Sequence, residues 1–277
     1  MTEFTSGYDS WCTVTKSIEK FSLTVNCKAS HLYKNFQDAA DYTANLLYKT
    51  WTDKPLYLTL SGGLDSEYTA NTLLKNNIPF TPVILDIEGM NQAESWYARY
   101  WCKKNNIIAI HINLSIKQFE EQIFSKYFPE TSKTTITPGI MISLFLLDYI
   151  ENLNGYGIIS CGDINYDFDE KLFYCDDIDF VVGMFRPGKH PSEFFMFTPE
   201  IALSYIYQFI MTDDEQYNKI RFYNILPRSK NDCFPLLLAS IDERYRKIYE
   251  YRKKQLSRHT PHWYGTQTNI IDLLLDK

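Results

Sequence analysis

Six consecutive residues carry the clearest chemistry in the chain: Ser61-Gly62-Gly63-Leu64-Asp65-Ser66. They follow a short apolar run, Leu56 to Leu60, and lead into Ala70, Leu73 and Leu74 at helical spacing. The order is strand, small-residue loop, helix start. Glycines permit φ > 0 and remove the Cβ atoms that would hold a phosphate away from the backbone. Ser61 and Ser66 add hydroxyl donors, and the first-turn N–H groups of the helix point at the same place with its positive dipole end. Asp65 runs against this pattern, because a carboxylate repels a polyphosphate. It fits if a divalent cation lies between them, as Mg²⁺ does when held by a carboxylate and substrate phosphates.

The loop is neither G-x-x-x-x-G-K-[ST] nor G-x-G-x-x-G. Ser-Gly-Gly-x-Asp-Ser after a strand resembles the PP-loop of the ATP pyrophosphatase superfamily. That resemblance implies ATP and Mg²⁺ as cofactors, with Leu60, Ser61, Gly62, Gly63, Leu64, Asp65 and Ser66 around the phosphates. It implies that backbone groups of Leu85, Asp86 and Ile87 read the adenine edge while the apolar side chains pack the ring. Gly162-Asp163 resembles the start of the Gly-Asp/Glu-Gly-x-Asp-Glu signature of the asparagine synthetase branch, although Ile164 stands at the next glycine. Asp163 is then implied as a second Mg²⁺ ligand or as the group that orients an attacking amine, with Asp167 behind it. Pro227 to Phe234 resembles the R-x-K-x-x-F stretch of the same branch: Arg228 and Lys230 match, and Phe234 comes one residue late. Lys230 is implied to reach the phosphates, where a point charge stabilises negative charge building on the α-phosphorus and pyrophosphate.

The implied activity is AMP-forming ligation. A substrate carboxylate or amide oxygen attacks the α-phosphorus, pyrophosphate leaves, and an amine displaces AMP. The resemblance spans roughly residues 31–165. Thr2 stands where a catalytic cysteine would follow the initiator methionine of an asparagine synthetase. A glutaminase domain is therefore not expected, and the amine is expected as free ammonia, on the substrate, or from a separate partner. The acceptor is a small molecule or RNA. Sulfur transfer to a nucleobase or RNA by the same adenylation is the alternative, with Cys161 or Cys102 as carrier. A catalytically inactive nucleotide-binding protein is another.

Composition narrows the partners. The 277 residues carry a net charge of −6, which disfavours a broad nucleic-acid footprint. Between Glu243 and Arg258, seven basic residues face two acidic ones, a run that reads as a solvated helix face. The six cysteines are dispersed without a C-x-x-C pair, which removes a zinc knuckle or redox dithiol. No apolar stretch approaches a membrane span and no leader pattern opens the chain. A soluble, cytoplasmic protein is expected.

The elements that must position these residues follow from periodicity. Thr13 to Cys27 alternates imperfectly and suggests a hairpin; Ser30 would cap a helix running to Trp51. Strand 56–60 and helix 66–76 are followed by strand 81–87. Asn91 with Glu94 forms a capping-box-like start for a helix to Lys104. Strand 107–112, a helix from Ser115 to Tyr127, a helix opened by Pro138 and strand 156–161 complete the series. Strands alternating with single helices mean an α/β fold, a doubly wound parallel sheet of Rossmann-like type. The expected organisation is an N-terminal extension and helix over 1–53, an ATP-binding core over 54–166, and a mainly helical part over 167–277. Helices at Pro199 to Met211, Asp213 to Tyr223 and Pro235 to Leu256 would pack over the open end of the sheet.

Overall fold

The computed structural model describes residues 2–6, 11–16, 21–25, 29–88, 90–127, 138–160, 164–167, 172–175, 193–205 and 262–263. At the N-terminus, β1 (Thr2–Ser6), β2 (Cys12–Lys16) and β3 (Phe21–Val25) form an antiparallel sheet in the order β1-β2-β3. The expected hairpin is its second half. Trp11, fully buried between β1 and β2 in sequence, donates from Nε1 to the Met196 carbonyl at 2.8 Å. Helix α1 (Phe36–Thr50) is capped by Asn35, whose side chain accepts from Gln37 N–H at 3.1 Å. The expected cap, Ser30, instead donates from its N–H and its hydroxyl to the buried Glu200 carboxylate at 2.9 and 3.0 Å.

The core follows in chain order: β4 (Leu56–Thr59), α2 (Leu64–Lys75), β5 (Thr81–Ile87), α3 (Gln92–Lys104), β6 (Ile110–Leu114), α4 (Ile116–Phe119) running into a wider turn at Glu120–Phe124, α5 (Pro138–Asn152) and β7 (Tyr156–Ile158). The sheet order is β6-β5-β4-β7 with every pair parallel, so the α/β reading holds. Side chains of β4 and β5 alternate between two apolar layers. Leu58 and Ile84 join Ala40, Leu47, Leu73 and Trp101 on the layer of α1, α2 and α3. Val83, Leu85 and Ile87 join Phe119, Ile123, Met141 and Ile150 on the layer of α4 and α5. Helices on both faces make the sheet doubly wound.

The helices return to the sheet by one device. Asn77, Asn106 and Asn154 take left-handed φ of 54°, 54° and 55° just past α2, α3 and α5. After α2 the N–H of Ile78 reaches back to Leu73 O, and after α3 that of Ile107 reaches Cys102 O, each at 3.0 Å. These are Schellman closures, and asparagine is the best non-glycine residue for the left-handed position. The closure after α3 consumes Ile107, so β6 begins at Ile110, later than alternation alone suggests.

After β7, β8 (Ile164–Asp167), β9 (Leu172–Cys175) and β10 (His262–Trp263) form an antiparallel sheet in the order β10-β9-β8; β9 and β10 fall in the part expected to be mainly helical. Helix α6 starts at Pro199 as expected and is described through Tyr205. The segment before it leaves the sheet just past β7, where Phe194 N–H donates to Ile159 O at 3.0 Å. The 193–205 segment packs on α1 and the N-terminal residues: Phe195 stacks on Phe36, ring centroids 6.0 Å apart, and Thr198 bonds Thr43 at 2.9 Å. The helices expected over 213–223 and 235–256 fall outside the described residues.

Candidate functional site

β4 occupies the point where the sheet changes direction. The next strand, β5, lies on one side of it and β7 on the other. Crevices at such reversals, outside the carboxyl ends of the strands, are where open α/β sheets bind ligands. The Ser61–Gly63 turn leaves β4 at that crevice and opens α2.

Gly62 has φ +91°, and a Cβ placed on it would meet the Glu94 carbonyl oxygen at 2.0 Å and Ala98 N at 3.3 Å. Both the backbone angle and the closeness of α3 therefore require glycine. Gly63 differs from the expectation of two φ > 0 glycines: it is the N-cap of α2 with ordinary φ −71° and ψ 163°. Lacking a side chain, it leaves the helix N-terminus without a side-chain cap, and the early N–H groups of a helix have no intrahelical acceptor. The serines brace the turn. Ser61 Oγ accepts from Gly63 N–H at 3.1 Å and contacts Ser66 Oγ at 3.1 Å; Ser66 Oγ in turn donates to Gly63 O at 3.1 Å. Ser66 is buried and Ser61 is exposed, so Ser61 is the hydroxyl a ligand can reach. Asp65 occupies the first turn of α2, where an acid also favours the helix dipole.

The carboxyl end of β5 outruns β4. Val83 O accepts from Leu60 N and Glu88 N donates to Leu114 O, each at 2.9 Å, so odd residues of β5 face β4 and even ones face β6. Leu85 O and Ile87 N thus project past the last residue of β4. The buried side chain of Asn91 takes both: Nδ2 donates to Leu85 O and Oδ1 accepts from Ile87 N–H, each at 2.7 Å. Asn91 precedes α3 as expected but makes no side-chain cap, because its amide is turned to β5. Asp86 is likewise engaged. Its carboxylate accepts from Arg99 Nη1 at 2.7 and 2.5 Å and from the Ser95 hydroxyl. Neither Asn91 nor Arg99 stood out in the sequence as a partner of this strand end.

On the other side of β4, Thr59 Oγ1 donates to Ile158 O at 3.2 Å, which sets β7 beside the turn. Just past β7, Ser160 has a buried hydroxyl with no hydrogen-bond partner among the described residues. Gly162, Asp163, Arg228 and Lys230 lie outside the described residues, as does Cys161; Asp167 is described only as part of β8. Cys102 is buried on α3, and burial pushes its thiol up to about 11, which removes the thiolate a sulfur carrier needs. Among the described residues no group of three or more His, Cys, Asp or Glu could hold a metal, and no helix is long and apolar enough to cross a membrane.

No protein-family model matches the sequence, and no curated protein matches it. Solved structures align with the chain at low identity and low TM-score. NMN synthetase from Francisella tularensis aligns at 14% identity and a TM-score of 0.40, over 87% of this chain and 92% of that one. The U34-tRNA thiolase NcsA from Methanococcus maripaludis, with its [4Fe-4S] cluster, aligns at 12% and 0.42, over 86% and 77%. The NH3-dependent NAD synthetase from Campylobacter jejuni subsp. jejuni NCTC 11168, in complex with nitrate, aligns at 14% and 0.37, over 83% and 99%. At these distances the likeness assigns neither activity nor substrate.

Proposed function

We propose that the chain is an ATP pyrophosphatase of the PP-loop type, which transfers the adenylyl group of ATP to a carboxylate or amide oxygen of a small acceptor and releases pyrophosphate. One observation carries the reading: the Ser61–Ser66 turn, with its φ > 0 glycine and uncapped helix N-terminus, sits at the strand reversal of a parallel sheet. That arrangement presents backbone N–H groups and the Ser61 hydroxyl to an anion of phosphate size. The Ser160 hydroxyl, just past the neighbouring strand and buried with no partner among the described residues, supports it, because such a hydroxyl is costly unless a ligand or water completes it.

The donor set suits Mg²⁺. Asp65 with the serine oxygens offers hard ligands, and Mg²⁺ typically takes one or two carboxylates together with substrate phosphates and waters, without an all-protein cage. Asp65 would hold it, with Asp163 as second ligand, and the ion would neutralise charge on the phosphates. The work of the chain's own residues is positional. The turn holds the β- and γ-phosphates while an acceptor oxygen approaches the α-phosphorus in line, and Lys230 and Arg228 counter the charge that builds there. The adenine lies at the end of β5, beside Leu85, Asp86 and Ile87, where it takes the two backbone groups that Asn91 now holds. An amine, free or brought by a separate partner, then displaces AMP.

The test is release of AMP and pyrophosphate from ATP with Mg²⁺, across amino acids, small carboxylates and RNA. An Asp65→Ala protein is the control, expected to lose roughly 10²–10³ in turnover as when one preorganised charged group is deleted. Products of ADP and phosphate would contradict the reading, and so would full turnover in the folded control.

A further inference from the structure

A second concave site lies away from the turn. A cavity of about 610 Å³ opens at the carboxyl ends of β5 and β6, walled by Glu88, Gln92, Trp96, Arg99 and Asn113. Ligand pockets commonly fall between roughly 300 and 1,000 Å³. Helix α3 stands between this cavity and the Ser61–Ser66 turn. The turn abuts α3 at Glu94 and Ala98, whereas Gln92, Trp96 and Arg99 lie roughly half a turn round the helix.

Its wall residues are unusual for a surface. Trp96 is 52% exposed and is held flat against Tyr100, ring centroids 5.3 Å and planes 9° apart. A large ring fixed in this way presents apolar area without the entropy cost of ordering it on binding. Arg99 is fixed too, through Nη1 alone, which meets both Asp86 oxygens and Ser95 Oγ. Among the described residues its Nε and Nη2 have no hydrogen-bond partner. The Nε–Nη2 edge is the planar fork that matches a carboxylate with parallel hydrogen bonds. Asp86 lines the same wall and balances Arg99, so Glu88, exposed there and without an ion-pair partner among the described residues, is the uncompensated charge; it opposes a dianion and accepts an N–H.

We propose that this cavity binds a planar aromatic monocarboxylate carrying a ring N–H. The ring lies on Trp96, the carboxylate takes the free edge of Arg99, and the ring N–H turns to Glu88. A phosphate monoester shares the anion-plus-ring chemistry, but its second charge meets Glu88. Asp86 and Ile87 also line this cavity, the strand end that the nucleotide reading gives to adenine, so the two readings compete there and the AMP arm of the test decides between them.

Titration calorimetry on the full chain tests it, with indole-3-carboxylate as probe and indole and AMP as comparison arms. Saturable binding of the probe is expected, weakened about ten-fold or more in Trp96→Ala and in Arg99→Lys. Trp96 is exposed, and lysine can still pair with Asp86, so both proteins are expected to fold; a circular dichroism spectrum checks this. Binding absent at millimolar probe, unchanged in both variants, or equal for indole would overturn the site. Tighter, Trp96-dependent binding of AMP would overturn the assigned ligand class.

Discussion

A β-carbon on Gly62 would lie 2.0 Å from the carbonyl oxygen of Glu94. The turn after β4 and the first turns of α3 are therefore in backbone contact, and neither can yield without moving a helix. At Gly63 the nearest atom to an added Cβ is Ser61 Oγ at 3.2 Å, a side chain that can rotate. Gly62→Ala is expected to cost at least about 2 kcal/mol, from left-handed strain and overpacking together. Gly63→Ala is expected to cost less than about 1 kcal/mol. Urea unfolding of the two proteins checks the contrast, and equal losses would mean the turn is not built this way.

Asn91 makes a second prediction sharp. Its amide satisfies a backbone acceptor and a backbone donor at the end of β5. Asn91→Ala leaves both inside the protein unpaired, at about 1–3 kcal/mol for each group not reached by water. An adenine edge offers the same donor and acceptor side by side. Adenosine is accordingly expected to raise the melting temperature of Asn91→Ala more than that of the unaltered protein. If adenosine stabilises both proteins alike, the base does not use Leu85 O and Ile87 N.

These two sites show what the sequence makes legible. The alternation of β4, β5 and β7 with helices is written in local periodicity, so the sheet and the turn were readable. The tetrapeptide Lys-Asn-Asn-Ile recurs at 75–78 and 104–107, and at both places it closes a helix. This recurrence was the available signal for the late start of β6. Asn91 was misleading because Asn-x-x-Glu has the spacing of a capping box, while the amide is used six residues upstream on a neighbouring strand. Arg99 and Asp86 are 13 residues apart with no periodicity that links them. Their pairing follows from how α3 folds back along β5. Packing of the 193–205 segment on α1 is equally non-local: Trp11 meets Met196 across 185 residues.

Cys102 gives a pH prediction. Its folded thiol is raised to about 11 by burial, above the value of 9.0 for a free thiol. The unfolded chain therefore releases this proton first. The group's contribution is fully present below about pH 9 and is lost as pH rises through about 11, on the order of 2–3 kcal/mol. Stability of the unaltered protein is expected to fall more steeply across that window than that of Cys102→Ala. Parallel curves, or rapid alkylation of Cys102 at neutral pH in the folded protein, would contradict the burial argument.

Ser160 separates architecture from function. Its hydroxyl is buried with no partner among the described residues, beside the turn at the strand reversal. Removing an unpaired buried hydroxyl forfeits no hydrogen bond and relieves a desolvation penalty. Ser160→Ala is therefore expected to melt at the same temperature as the unaltered protein, or slightly higher. If the crevice holds the phosphates of ATP, the same hydroxyl gains its partner from the ligand, and the variant's affinity for ATP drops roughly 10–100-fold, the value of one hydrogen bond to a charged group. Equilibrium binding of ATP to the two proteins reads this directly. Lower thermal stability with unchanged ATP affinity would show that Ser160 serves the fold and that the phosphates lie elsewhere.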